Sequence, residues 1–343
     1  MKAGTKVGID GRKFPAEGRG PLDLLVRCHE LGYDGVFFRT ILDVTPTLDR
    51  GLLADLRGLA DDLGLYLEMG LGKVNPYNTA EAPEVRAAGD GDYLLGMTRM
   101  VEACAAAGCV SLWCDTANYQ RHEWGLQAND RFRTDVVWED QLEATKKFLL
   151  RLAPVVRDHG AWLAMETHEE ITTTEILRLA DAVDVLGVTL DLANVVVRGE
   201  DPVAATRRLG PLVRKTHMRD VTLFPTPRGL ERQIRACGDG VIDWHAVLAE
   251  LDPSVNLTIE NATSRDWNDI PIFDPSWRRA HPDLDVGEIL ELVRLARLCE
   301  ERAGEGAMPG PDDYYTDPYG VDRQLAFIAR SAETLRAIRK ETQ

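Results

Sequence analysis

Four stretches of the chain run from apolar residues straight into a group that can hold a cation or move a proton. W-L-A-M-E-T-H carries Glu166 and His168, V-T-L-D ends in Asp191, K-T-H-M-R-D carries His217, and L-T-I-E-N delivers Glu260. Each apolar run reads as a buried strand, so the four segments are expected to present these groups at the same end of a sheet. Three buried, unpaired carboxylates converging on one point would be costly to desolvate and would repel one another. A divalent cation removes both problems. Three carboxylates and one imidazole form a hard, oxygen-rich set that suits Mn²⁺ or Mg²⁺ better than the thiolate-rich sites of zinc. The expected metal ligands are therefore Glu166, Asp191, His217 and Glu260.

His168 stands two residues beyond Glu166, and alternate residues of a strand face the same side. Its imidazole would thus share the cavity with the metal, one step nearer the mouth. With an ordinary pKa of about 6.5, such a group takes or gives a proton at neutral pH. Substrate contacts are expected from Arg219, Asp115, Trp113, His122 and Glu68. Glu68 and Asp115 are read near the ends of the third and fourth strands. Arg219 shares a face with His217, and Trp113 could stack on a sugar or pack in the core. Asp10, Arg12, Lys13 and Arg39 follow the first two strands and are weaker candidates, because surface ion pairs use the same residue types.

The elements that must position these groups alternate along the chain. Strands are predicted over 6–10, 35–40, 65–70, 110–115, 162–167, 186–191, 214–220 and 256–261. Helical spacing fills 21–31, 50–63, 92–107, 137–158, 173–182, 202–209 and 244–251. Pro21 and Pro202 suit first helical turns, and Gly32, Gly64, Gly108 and Gly160 suit helix ends before strands. Eight such β-then-α units predict an α/β protein, a (β/α)8 TIM barrel. A doubly wound sheet fits less well, since no G-x-G-x-x-G follows the first strand and no P-loop is present. Insertions follow the fourth strand (119–135) and the eighth (262–284), both on the face where barrel active sites form. The barrel is assigned to 1–303. Residues 304–343 form a Gly/Pro break and a helical extension whose apolar face packs on the barrel or on a partner.

Composition narrows the partners. The 343 residues include 40 Lys and Arg against 56 Asp and Glu, a formal charge of −16. That sign repels phosphate backbones and anionic lipid, so neither nucleic acid nor membrane is expected. No apolar run reaches the roughly 20 residues of a membrane span. The N-terminus lacks a signal core, and six scattered cysteines without a CxxC pair read as reduced thiols, both pointing to the cytoplasm.

The order Glu166, Asp191, His217, Glu260, the 26 residues from Asp191 to His217, the H-x-x-D of His217 and Asp220, and the segment GDGVIDWHAVL together resemble the xylose isomerase-like barrels of the sugar phosphate isomerase/epimerase superfamily. The resemblance implies one Mn²⁺, Mg²⁺ or Co²⁺ on those four residues, chelating a carbonyl and a neighbouring hydroxyl of a sugar and stabilising an enediolate. In plain epimerases of this kind, residues matching Glu166 and Glu260 serve as acid and base. The E-x-H of the fifth strand, the insertions and the extension look more like branches that carry the enolate on to bond cleavage. These are the C-glycoside deglycosidase α subunits and other 3-oxo-glycoside lyases, and the oxo-sugar acid decarboxylases. The implied activity is a metal-dependent lyase acting by β-elimination, with a sugar isomerase or epimerase as the alternative. An inactive sugar-binding barrel is the non-enzymatic one. Abasic-site endonucleases share the barrel but need a more His-rich site and a basic surface. The deglycosidase likeness also implies a small second subunit and a homo- or hetero-oligomer.

Overall fold

Valine, isoleucine and leucine runs, buried on both faces, form the inner wall of the molecule. The computed structural model describes residues 6–15, 20–117, 136–262, 265, 267–316 and 318–341. Its strands are β1 (Val7–Asp10), β2 (Gly35–Phe38), β3 (Tyr66–Lys73), β4 (Ser111–Asp115), β5 (Trp162–Glu166), β6 (Leu186–Asp191), β7 (Val213–His217), β8 (Asp220–Thr226), β9 (Gly229–Arg235), β10 (Leu257–Ile259) and β11 (Trp267–Ile270). Eight of them make one parallel sheet in the order β10-β1-β2-β3-β4-β5-β6-β7. The two ends meet where the Met218 N–H donates to the Thr258 carbonyl at 2.7 Å and the Thr216 hydroxyl to the Asn256 carbonyl at 2.9 Å. This nearly closed TIM barrel, with helices around it, is the expected fold. Pro21 and Pro202 open helices Pro21–Glu30 and Pro202–Leu209. The four helix-ending glycines take left-handed φ values of 76°, 71°, 74° and 60°, where a side chain would be strained.

Inside the barrel, side chains stack in layers. At the lower end the Tyr66 ring lies across Gly8 and Gly35. A Cβ on Gly8 would come within 2.2 Å of the Tyr66 hydroxyl, and one on Gly35 within 2.3 Å of its ring. That hydroxyl also bonds the Thr258 Oγ at 2.8 Å. Above it Glu68 accepts from Thr258 and Asn256, both at 3.1 Å, and faces Lys215 at 3.6 Å. The Lys215 ammonium sits 3.6 Å from the centre of the Phe37 ring, and Phe37 in turn supports the His217 ring at 5.0 Å.

Three expectations need correction. The seventh strand stops at His217, not at residue 220, because the Met218 N–H turns to Thr258. Asp220 begins a hairpin instead, β8 paired antiparallel with β9, and β11 from the insertion after β10 completes a second, three-stranded sheet. Pro225 is tolerated because β8 is an edge strand. Finally, β3 runs on to Lys73, so Glu68 lies near its start, below the mouth.

The helix Val321–Glu341 lies against β1, β10 and helix Trp244–Ala249, burying Ile328, Ala332 and Leu335. Just before it, Tyr319 donates to the Ala262 carbonyl. All six cysteines are buried and free. Among the described residues, no helix is long and apolar enough to cross a membrane.

Candidate metal centre

Strand ends place the cluster. Glu166, Asp191 and His217 are the last residues of β5, β6 and β7, and Glu260 follows β10 directly. The ladder sets Asp191 opposite His217. All four are buried, and one ligand atom from each lies within 4.8 Å of the others. The His217 Nδ1 is 2.9 Å from a Glu260 oxygen and 3.3 Å from a Glu166 oxygen.

Neighbouring residues hold the ligands in place. Asp191 Oδ1 accepts from the Ala193 N–H at 3.0 Å, and Oδ2 accepts from Arg219 Nε at 3.0 Å. Asn194 donates to Glu166 at 3.2 Å and accepts from Arg219 at 3.0 Å. Lys13 pairs with Glu260. Trp113, expected to stack or pack, donates its indole N–H to Glu166 Oε2 at 2.7 Å. Arg219, expected to face the substrate, pairs with Asp191, donates to Asn194 at 3.0 Å and lies 3.6 Å from Glu260. Asp10, also buried, lies near enough for the charges of Glu260 and His217 to act on its carboxyl.

Electrostatics favours a cation here. Burial drives the Asp191 carboxyl up, helped by Glu260 and Glu166 and opposed by Arg219. Burial works against charge on His217 as well, yet Glu166 and Glu260 hold that imidazole well above its usual range. With His217 holding its proton, Asp10, Glu166, Asp191 and Glu260 outweigh Lys13, Arg219 and His217 by one, and once that proton leaves, as it must for the imidazole to ligate a metal, the excess is two. One divalent cation would cancel it. The donors are of the right kind, three carboxylates and an imidazole, so the residues fit a hard divalent metal.

His168 follows β5. Its Nδ1 is 2.6 Å from Glu170 Oε2, and the Thr116 hydroxyl donates to Glu170 Oε1 at 2.6 Å. Burial opposes charge on His168, but Glu170 and then Glu166 push its pKa up to about 10. Glu170 is fully buried and was not among the expected site residues. The sequence signal was there, a carboxylate two residues beyond the histidine in E-T-H-E-E. Asp115 ends β4 beside Arg39, at 3.5 Å. Glu68 is engaged by Lys215, Asn256 and Thr258 beneath the cluster, and so is not drawn into the mouth where it was expected. His122 lies outside the described residues, as does the whole of the insertion expected over 119–135.

GDGVIDWHAVL has a structural role. The buried Asp220 carboxylate accepts from the N–H groups of Val221 (2.8 Å), Gly238 (2.9 Å), Gly240 (3.3 Å) and Ile242 (3.1 Å), and from the Trp244 indole (2.8 Å). The aspartate three residues after His217 is thus the clamp for this turn.

Comparison with known proteins agrees with this geometry. The family model described as "Xylose isomerase-like TIM barrel" matches residues 25–265. The uncharacterized protein YihM of Escherichia coli strain K12 is 26% identical over 97 residues, spanning 28% of this chain and 30% of that protein. Among solved structures, D-psicose 3-epimerase of Clostridium cellulolyticum H10 with D-tagatose superposes with a TM-score of 0.58 at 15% identity, covering 88% of this chain and 98% of that one. The 3-keto-D-glucoside 4-epimerase YcjR of E. coli gives 0.54 at 15% identity, covering 84% of this chain and 99% of that one. Both of these solved neighbours are carbohydrate epimerases. At such identities the likeness is one of fold.

Proposed function

We propose, for a chain that belongs to the xylose isomerase-like TIM barrel family, a divalent-metal-dependent enzyme that removes a proton next to the carbonyl of a keto-sugar or sugar conjugate and leads on to β-elimination. The supporting observation is the pairing of the cluster of Glu166, Asp191, His217 and Glu260 with a separate, carboxylate-anchored imidazole, His168 on Glu170. A cation on the four ligands, Mn²⁺ by preference, would supply Lewis acidity toward a carbonyl and its neighbouring hydroxyl.

The chain's own residues would do the rest. Glu170 fixes His168 through Nδ1, leaving Nε2 for the substrate. In a 3-oxo-glycoside the ketone acidifies the proton on C2, which His168 Nε2 accepts only in its neutral form, the minor one below the pKa of about 10 that Glu170 and Glu166 give it. The C2–H electron pair becomes the C1–C2 double bond, the bond from C1 to the aglycone breaks, and the aglycone leaves with that bond's electrons and takes up a proton. Arg219 and Asn194 keep Asp191 and Glu166 in register, and Trp113 holds the second oxygen of Glu166. Burial of the cluster keeps bulk water from competing.

A ketose epimerase is the second reading, supported by the two glutamates of the cluster, Glu166 and Glu260, which both contact His217 Nδ1, and by the activities of the solved neighbours. Solvent deuterium incorporation, followed by NMR on ketoses and 3-oxo-glycosides with Mn²⁺ and with chelator, tests both. Metal-dependent exchange with release of the aglycone is expected. Exchange with an epimerised or isomerised sugar and no released fragment would move the protein to the second reading, and no exchange on any substrate would refute both.

A further inference from the structure

The second sheet is an addition to the barrel, and a buried ion pair joins it to the turn that carries His168. Arg232 lies in the middle of β9, and Asn268 stands opposite it on β11. Both side chains are buried, that of Arg232 completely. They converge on one atom, Oε1 of Glu169, to which Arg232 Nη2 donates at 2.8 Å and Asn268 Nδ2 at 2.7 Å. Glu169 is 63 residues from Arg232 and 99 from Asn268 in the chain. The contact therefore exists only once the second sheet has assembled against the barrel.

The turn itself is tied at both ends. The Thr167 hydroxyl donates to the Asp191 carbonyl at 2.9 Å and accepts from the Asp191 N–H at 2.8 Å. The Ile171 N–H closes the turn on the His168 carbonyl at 3.3 Å. Between those points the side chains are drawn to different elements. Glu170 is held by Thr116, just past β4, and holds His168 in turn, while Glu169 is held by the second sheet. Opposed anchors on neighbouring residues fix the rotation of the chain about its own axis, and that rotation sets where the His168 ring stands.

Stability alone is a poor account of such a pair. Desolvating a guanidinium and a carboxylate offsets most of their attraction, whereas a buried and hydrogen-bonded pair does fix a geometry. Geometry matters at this place, because a displacement of about 1 Å can cost a reacting group about 100-fold in rate.

We infer that Arg232 and Asn268 are positioning residues, through which the second sheet, acting on Glu169, aims the His168 imidazole. The inference rests on the functional reading above, in which His168 moves the proton, and adds the part of the fold that sets its angle.

The test uses the full-length protein loaded with Mg²⁺, which leaves NMR signals sharp, with its seven histidine rings labelled with ¹³C. Loss of one signal in His168→Gln identifies His168. Glu169→Ala and Asn268→Ala are expected to shift or broaden that signal. Glu169→Gln keeps the oxygen that both donors share and is expected to leave it in place. Arg228→Ala, which breaks an ion pair of the same sheet with Asp269 at 3.2 Å, is also expected to leave it in place. Solvent deuterium exchange is then followed on whichever ketose or 3-oxo-glycoside the protein turns over. Its rate at saturating substrate is expected to fall at least about tenfold in Glu169→Ala, with KM within about twofold, and to return to within about threefold in Glu169→Gln. Should Glu169→Ala fail to fold, Asn268→Ala decides alone. A His168 signal unmoved by these alanine variants, or moved as much by Arg228→Ala, would overturn the inference. A moved signal with no exchange by the unaltered protein on any substrate would refute the functional reading and leave the anchoring standing. Exchange at an unaltered rate in every variant would refute the positioning role and leave the functional reading intact.

Discussion

Asp220→Asn is expected to cost about 4 kcal/mol of stability, although the side chain keeps its size. The carboxylate takes five N–H donors, Val221 and Ile242 on Oδ1 and Gly238, Gly240 and Trp244 on Oδ2. An amide has only one acceptor oxygen. Its best orientation keeps that oxygen on the three-donor side and turns its NH₂ toward the Val221 and Ile242 N–H groups. Two buried donors lose their acceptor, at about 1–3 kcal/mol each. At about 2 °C per kcal/mol for a chain of this size, the melting temperature should fall by about 8 °C in scanning calorimetry, with a matching shift in the urea midpoint. Gly240→Ala attacks the same clamp from the other side, because its Cβ would come within 2.2 Å of Asp220 Oδ1. The double variant should therefore lose less than the sum of the two single ones. A loss below about 1 kcal/mol for Asp220→Asn, or strict additivity, would refute the idea that this carboxylate organises the turn.

Three further outcomes are expected. Asp191→Asn should weaken Mn²⁺ binding at least about tenfold in a calorimetric titration, since it removes a ligand charge and the partner of Arg219. Removing the metal with a chelator should lower the melting temperature, and restoring Mn²⁺ at about 100 times its Kd should return about 2.7 kcal/mol. Glu170→Gln should lower kcat about 100-fold while leaving Mn²⁺ affinity within about twofold, because it acts on His168 and not on the ligands.

Much of the barrel is legible in the chain because β2, β3, β4 and β5 are apolar runs that each follow a helix-ending glycine, and β5, β6, β7 and β10 each run into a carboxylate or an imidazole. Four candidate ligands on successive strand ends of the barrel give a signal that no single residue would carry. What escaped notice depends on contacts between segments distant in sequence. V-T-L-F-P-T-P-R-G contains two prolines and follows a strand without a break, so its hairpin is concealed until β11 supplies the third strand. Lys13 is 247 positions from Glu260 and looks like any loop lysine, yet the two side chains pair. Glu170 reads as the second of two ordinary glutamates, and only the fold shows that its carboxylate lies between Thr116 and His168. Glu68 misled for the opposite reason. A glutamate in an apolar run looks like a site residue, and the lysine that neutralises it sits four strands away.

The packed floor of the barrel has a consequence for isotope experiments. Tyr66 fills the lower end, with Glu68, Lys215 and Phe37 stacked above it, so a substrate and solvent hydrogen would both enter from the mouth. A hydrogen lifted from carbon leaves by the route the substrate came in, while the substrate still stands in it. Such a vestibule keeps a memory of its cargo. Part of a deuterium label placed on the reacting carbon should reappear in the same molecule, and the returned fraction measures how long the doorway stays blocked.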